Sequence, residues 1–159
     1  MATVNIYLTF NGNCEEAFNF YKSVFGGAFP YVGRFGEMPP GDTSPGDASP
    51  GEDGKTMSEE DSNKIMHISL PISQETMLMG SDTGGEWAAG YQPGNNFSIS
   101  VNAENRGEAD TLFAGLSAGG QVTMPLADMF WGAYFGMLTD KFGINWMVNY
   151  DDPEKMQGK

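Results

Sequence analysis

One histidine, one cysteine and a run of carboxylates are the side chains of this 159-residue chain whose types and spacing could carry chemistry. His67 is the only histidine, so proton transfer near neutral pH, as a general base, falls to it. A lone histidine cannot complete a metal site unaided, and it serves equally well as a hydrogen-bonded structural residue. Cys14 falls in the first turn of a predicted helix, where the helix N-terminus can lower a thiol pKa modestly. Nothing else marks it as reactive, and the position also suits a small, partly buried residue. No Ser, Cys or Lys lies in a recognisable nucleophile motif. The carboxylates gather in residues 37–62, where PGDTS, PGDAS and PGEDG follow one another from Pro40 to Gly54. Eight acidic residues against Lys55 give this insert −7 of the chain's net −13. It is not an EF-hand: counted from Asp42, the sixth position, where the calcium loop needs glycine, is Asp47. A solvated loop or a lid is the expectation.

Those residues have to be held by a fold, and the punctuation of the chain shows which. The strand-like run VNIYLTF (4–10) leads to Asn13 with Glu16 three residues later, the spacing of a helix capping pair. Ala17, Phe20, Tyr21 and Val24 then recur at i, i+3, i+4 and i+7, and Gly26-Gly27 supplies a left-handed stop. The second half repeats cap, acid and stripe at an offset of 92: after NFSISV (96–101) come Asn105 and Glu108, then Ala109, Leu112, Phe113 and Leu116, before Gly119-Gly120. Strand candidates follow each helix, at FPYVGRF (29–35), KIMHISLPI (64–72) and ETMLMG (75–80), and again at QVTMPL (121–126), AYFGMLT (133–139) and the stretch after DKFG (140–143). The result is βαβββ twice. Such a unit is too small to cover its own sheet, so the expectation is an α+β fold of two units, about 1–82 and 94–151, with curled mixed sheets around a shared cavity and helices outside.

In the last strand Ile144, Trp146, Val148 and Tyr150 alternate with Asn145, Met147 and Asn149, one face apolar and the other amphipathic. In KIMHISL, Met66, Ile68 and Leu70 alternate with Ile65, His67 and Ser69, so His67 is predicted to face the hollow if the former set faces the helix. No G-x-G turn opens either helix, which argues against a methyl-donor or dinucleotide site. The negative charge repels phosphate backbones and anionic membrane surfaces, and no basic patch reverses it, so neither nucleic acid nor membrane is an expected partner. A single cysteine precludes an intrachain disulfide. With no basic, apolar leader and no run of about 20 apolar residues, a cytoplasmic location is expected.

FNGNCEEAFNFYKSVFGG, KIMHISL and MFWGAYFGMLTDKFGINWMVNY together resemble the PhnB-like branch of the vicinal oxygen chelate superfamily, which includes glyoxalase I, extradiol dioxygenases and bleomycin-resistance proteins. The resemblance spans nearly the whole chain. It implies one glyoxalase-like domain over 1–159 and, commonly, a homodimer. Active members of that superfamily hold a divalent metal with His and Glu from four strands, and the metal chelates two neighbouring substrate oxygens. Carried over, those positions fall on Asn5 or Ile6, Met77 or Met79, Asn96 and Met147, none a usual ligand for a hard cation. The resemblance therefore implies no metal and no other cofactor, and a pocket for an organic molecule lined by Asn5, Tyr7, His67, Ser69, Met77, Met79, Asn96, Ser98, Trp131, Tyr134, Asn145 and Met147. Relatives in this branch are sometimes labelled ubiquinone methyltransferases, a name these residues do not support.

Three functions remain in view. The first is a metal-free module binding a small, partly aromatic organic ligand, suggested by the lost ligands together with 20 aromatic residues (Phe 11, Tyr 6, Trp 3). Drug sequestration of the bleomycin-resistance type is its sharper form. The second is a lyase or dioxygenase whose metal site is rebuilt from His67 and a carboxylate of the acidic insert. The third is a dimer whose hollow is filled by its own side chains, with Met147 as core filling.

Overall fold

A computed structural model describes residues 2–37, 58–83 and 89–156. The tandem PGD segment and the Gly84-Gly85 pair lie outside the described residues. The chain divides into two compact units, Met1–Gln92 and Pro93–Lys159. In the first, β1 (Ile6–Phe10), α1 (Cys14–Phe25) and β2 (Tyr31–Arg34) precede a 3-10 turn at Phe35–Glu37. Then come α2 (Glu59–Asn63), β3 (Ile65–Pro71) and β4 (Met77–Asp82). In the second, β5 (Ile99–Asn102) leads through α3 (Arg106–Ser117) to β6 (Gln121–Asp128), β7 (Ala133–Thr139), β8 (Asn145–Asp151) and α4 (Pro153–Met156).

Each unit is a four-stranded mixed sheet, ordered β1-β4-β3-β2 in one and β5-β8-β7-β6 in the other. The first and last strands of each unit pair in parallel, Ile6 opposite Leu78 and Ile99 opposite Trp146, and the remaining pairs are antiparallel. The twofold βαβββ expectation is met. Residues 59–62, the end of the insert read as loop from its acidic composition, instead belong to the short helix α2. Ser58 caps it, its hydroxyl accepting from the Asp61 amide at 3.1 Å.

The helices form as the spacing requires, α3 with its predicted stripe and cap and α1 with different partners. In α1 the buried stripe is Cys14, Ala17, Phe18 and Tyr21, one register away from the predicted Phe20 and Val24. Gly80 in β4 makes that choice: a Cβ there would stand 2.6 Å from the Phe18 ring, so the absent side chain is the ring's seat. Burying a phenylalanine in this way contributes about 2–3 kcal/mol. Asn13 stands at the start of α1 without a side-chain capping bond. The cap comes from across the unit, where the buried Asp82 carboxylate accepts from the amides of Gly12 (3.0 Å) and Cys14 (2.9 Å), and with its other oxygen from Ile65 (2.9 Å). In α3 the predicted cap holds. Asn105 Oδ1 accepts from the Glu108 amide at 2.8 Å, and Glu108 reaches back to the Glu104 amide at 2.7 Å. Phe113 of α3 lies over Gly136 of β7, as Phe18 lies over Gly80.

Candidate functional site: the open sheet faces

In the first unit Leu8, Phe10, Ile68, Leu70 and Leu78 are buried, on the face where α1 packs. The alternate residues stand on the opposite face. There Tyr7, Met79, Ser69 and Tyr31 lie in register across all four strands. His67 is one step along, paired with Gly33. Its ring lies between two tyrosines, 5.7 Å from the Tyr7 ring and 5.7 Å from the Tyr31 ring. Gly33 makes this possible, because Tyr31 lies across it and a Cβ there would stand 2.6 Å from the Tyr31 hydroxyl. Both tyrosines are 50% exposed, while Ser69 beneath them is buried. The group is a histidine between two accessible aromatic faces with a hydroxyl in the floor, suited to hydrogen bonding and stacking. The strict alternation expected of β3 breaks at Met66. Arg34 pairs with Ile65 rather than Met66, and Ile65 is buried with its amide on Asp82.

In the second unit Trp146, Val148 and Leu138 are buried, and the opposite face carries Ser100, Met147, Met137 and Met124 in one row. Asn145 and Thr139 flank the row on one side, their side chains bonded at 2.8 Å. Asn149 flanks it on the other, donating to Asn102 and Asp151. The turn before β8 is organised by Asp140. One carboxylate oxygen accepts from the Phe142 and Ile144 amides at 2.8 and 3.0 Å, and the other from the Trp146 indole at 2.8 Å. The D-x-F-G-x-x-W-M string is thus a turn-and-strand clamp, with Gly143 at φ 87°.

The family model of the Glyoxalase/Bleomycin resistance protein/Dioxygenase superfamily matches residues 3–148. The chain belongs to this superfamily. Protein YjdN of Escherichia coli (strain K12) is 32% identical over 143 residues, covering 90% of this chain and 91% of that protein. Among solved structures, protein PA1353 from Pseudomonas aeruginosa is 36% identical with a TM-score of 0.74, over 95% of this chain and 98% of that one. The PhnB protein from Bacillus cereus is 24% identical with a TM-score of 0.66, over 94% and 99%.

The hard divalent metal of active superfamily members does not fit the donors this chain supplies at the carried-over positions. Asn5 Oδ1 accepts the Met77 amide at 2.9 Å, so its neutral oxygen is used in closing the end of the β1–β4 pair. Met77 and Met79 lie half-buried on β4, and Met147 is half-buried on β8. Thioethers and an engaged amide are poor partners for such an ion. No group of three or more His, Cys, Asp or Glu side chains that could hold a metal occurs among the described residues.

The remaining predicted positions scatter. Asn96 is exposed and three residues ahead of β5, Ser98 is half-buried just before it, and Asn145 donates weakly to the Phe97 carbonyl at 3.4 Å. Trp131 sits in the β6–β7 turn, edge-to-face with Phe130 at 4.9 Å. Tyr134 lies on the α3 side: its hydroxyl donates to Asp110 at 2.6 Å, and the Arg106 guanidinium lies 3.9 Å over its ring. The Asp110 bond raises the Tyr134 pKa. Cys14 reverses the expectation of a lowered pKa. Burial first, then the carboxylates of Asp82 and Glu15, push its thiol far above the ordinary range. Tyr31, Met124 and Met137 were not among the predicted residues. The Y-V-G alternation of β2 was the available signal for Tyr31, whereas Met124 emerges only from the β6–β7 register.

Proposed function

We propose that this chain is a small-molecule-binding member of its superfamily that works without a hard divalent metal and holds a planar organic ligand against the open face of its first sheet. The observation that carries this reading is His67 between the half-exposed rings of Tyr7 and Tyr31. Two aromatic faces supply stacking area, and the histidine with Ser69 supplies the few directional polar groups such a site needs. A cationic aromatic ligand is favoured by the net charge of −13, which makes sequestration of a cationic drug the sharper form of the proposal. In this reading His67 binds rather than catalyses, and the protein acts in the cytoplasm, where its one free cysteine stays reduced.

Calorimetric titration with a panel of cationic and neutral aromatics tests the proposal. A ligand should be found whose affinity falls about tenfold, or about 1.4 kcal/mol, in Tyr7→Leu and in Tyr31→Leu. Gly33→Ala should weaken it as well by displacing Tyr31 from His67. Silence across the panel, or equal affinity in all three variants, would count against it. We also propose a homodimer, supported by family resemblance and by the β1, β2 and β5 edge strands, which lack the interruption of β6 at Pro125. Light scattering at micromolar concentration should give twice the chain mass; a monomer mass contradicts it.

A further inference from the structure

The donors that disqualify a hard cation suggest a different one. Met137 of β7 stands between Met147 of β8 and Met124 of β6 and pairs directly with each, the β6 register shifting on both sides of Met124. Met137 and Met147 share the face opposite Gly136 and Leu138, and Met124 joins them through its pairing with Met137. Gly136 lies under Phe113 of α3, and Leu138 is buried opposite Trp146. All three methionines are half-buried, neither sealed in the core nor freely solvated. Adjacent strands lie about 4.8 Å apart, so the outer two side chains need lean only about one strand spacing inward for three sulfurs to converge above Met137. Methionine's unbranched, flexible side chain permits this. The polar neighbours on either side are tied to one another, Thr139 to Asn145 and Asn149 to Asn102 and Asp151, so that beyond the Ser100 hydroxyl, which pairs with Met147 at the β5 end, thioether sulfur is the donor type along the row.

We propose that this row is a three-thioether site for a soft monovalent cation of the Cu(I) class. Neutral, polarizable sulfur selects such ions over Mg, Ca or Mn, and three thioethers leave the site with a single positive charge that the acidic protein tolerates. The site uses neither His67 nor the tyrosines, so it stands or falls separately from the aromatic-binding proposal.

Silver(I) serves as the redox-inert probe. The full chain carrying Cys14→Ala, which removes the competing thiol, is labelled at its methionine methyl carbons and titrated with silver nitrate. One equivalent should shift three methyl resonances together, those missing from the spectra of Met124→Leu, Met137→Leu and Met147→Leu. Each Leu variant should bind about tenfold or more weakly, and Met66→Leu, outside the row, should bind as before. Shifts spread over methionines elsewhere, unchanged affinity in folded Met137→Leu, or no saturable binding would overturn the proposal. Should a Leu variant fail to fold, X-ray absorption on the silver-loaded Cys14→Ala protein decides: about three sulfur neighbours support the site, and a shell of oxygen or nitrogen alone overturns it.

Discussion

Cys14 and His67 are the side chains whose ordinary chemistry invites a catalytic reading, and their surroundings treat them differently. Cys14 is fully buried beside the Asp82 carboxylate, and burial keeps its thiol protonated. A pKa raised in the folded state contributes stability below the unfolded thiol's value, about 8.5, and loses it as pH rises beyond that. The native thiol should therefore resist an aromatic disulfide reagent at pH 8 and react at once in denaturant, and Cys14→Ala should flatten the fall of stability above about pH 8.5. Rapid native labelling would contradict this environment. His67 keeps two accessible aromatic neighbours and a buried serine, which suits contact with a ligand. Alternation in the sequence places His67, Tyr7 and Ser69 on one face, where the strand register also has them. The sequence alone missed Tyr31, whose place depends on a glycine two residues away, and it placed Tyr134 in the pocket although Asp110 and Arg106 hold it on the helix side.

At the scale of elements, the strands and both long helices were legible from alternation, from the 3.6-residue stripe and from the Gly-Gly stops. What was not legible came from contacts remote in sequence. Gly80 decides that Phe18 rather than Phe20 is buried, and Asp82 rather than Asn13 caps α1. Asp82 is the joint of its unit, since it ties the start of α1 to the start of β3 from the end of β4. Asp82→Asn turns an acceptor into a donor facing at least one of those amides, and should cost about 2–4 kcal/mol in urea unfolding. A loss under about 0.5 kcal/mol would show that the amides find other partners. The edge strand β6 shows how exposure is managed in the second unit: Pro125 and two register irregularities interrupt its eight residues, discouraging strand addition by another chain.

At the scale of the whole chain, superfamily membership explains the paired βαβββ units, while the amide and thioether side chains at the carried-over metal positions are the basis for proposing a metal-free role. No helix among the described residues is long and apolar enough to cross a membrane. The sheet faces turned away from the helices carry tyrosine, methionine and amide side chains. The central claim is that binding belongs to those side chains and not to a coordinated divalent ion. Calorimetric titration of the best aromatic ligand in the presence of excess EDTA tests it most directly. The account predicts the same affinity with and without chelator and its loss in Tyr7→Leu; binding abolished by EDTA and restored by manganese or nickel would contradict it.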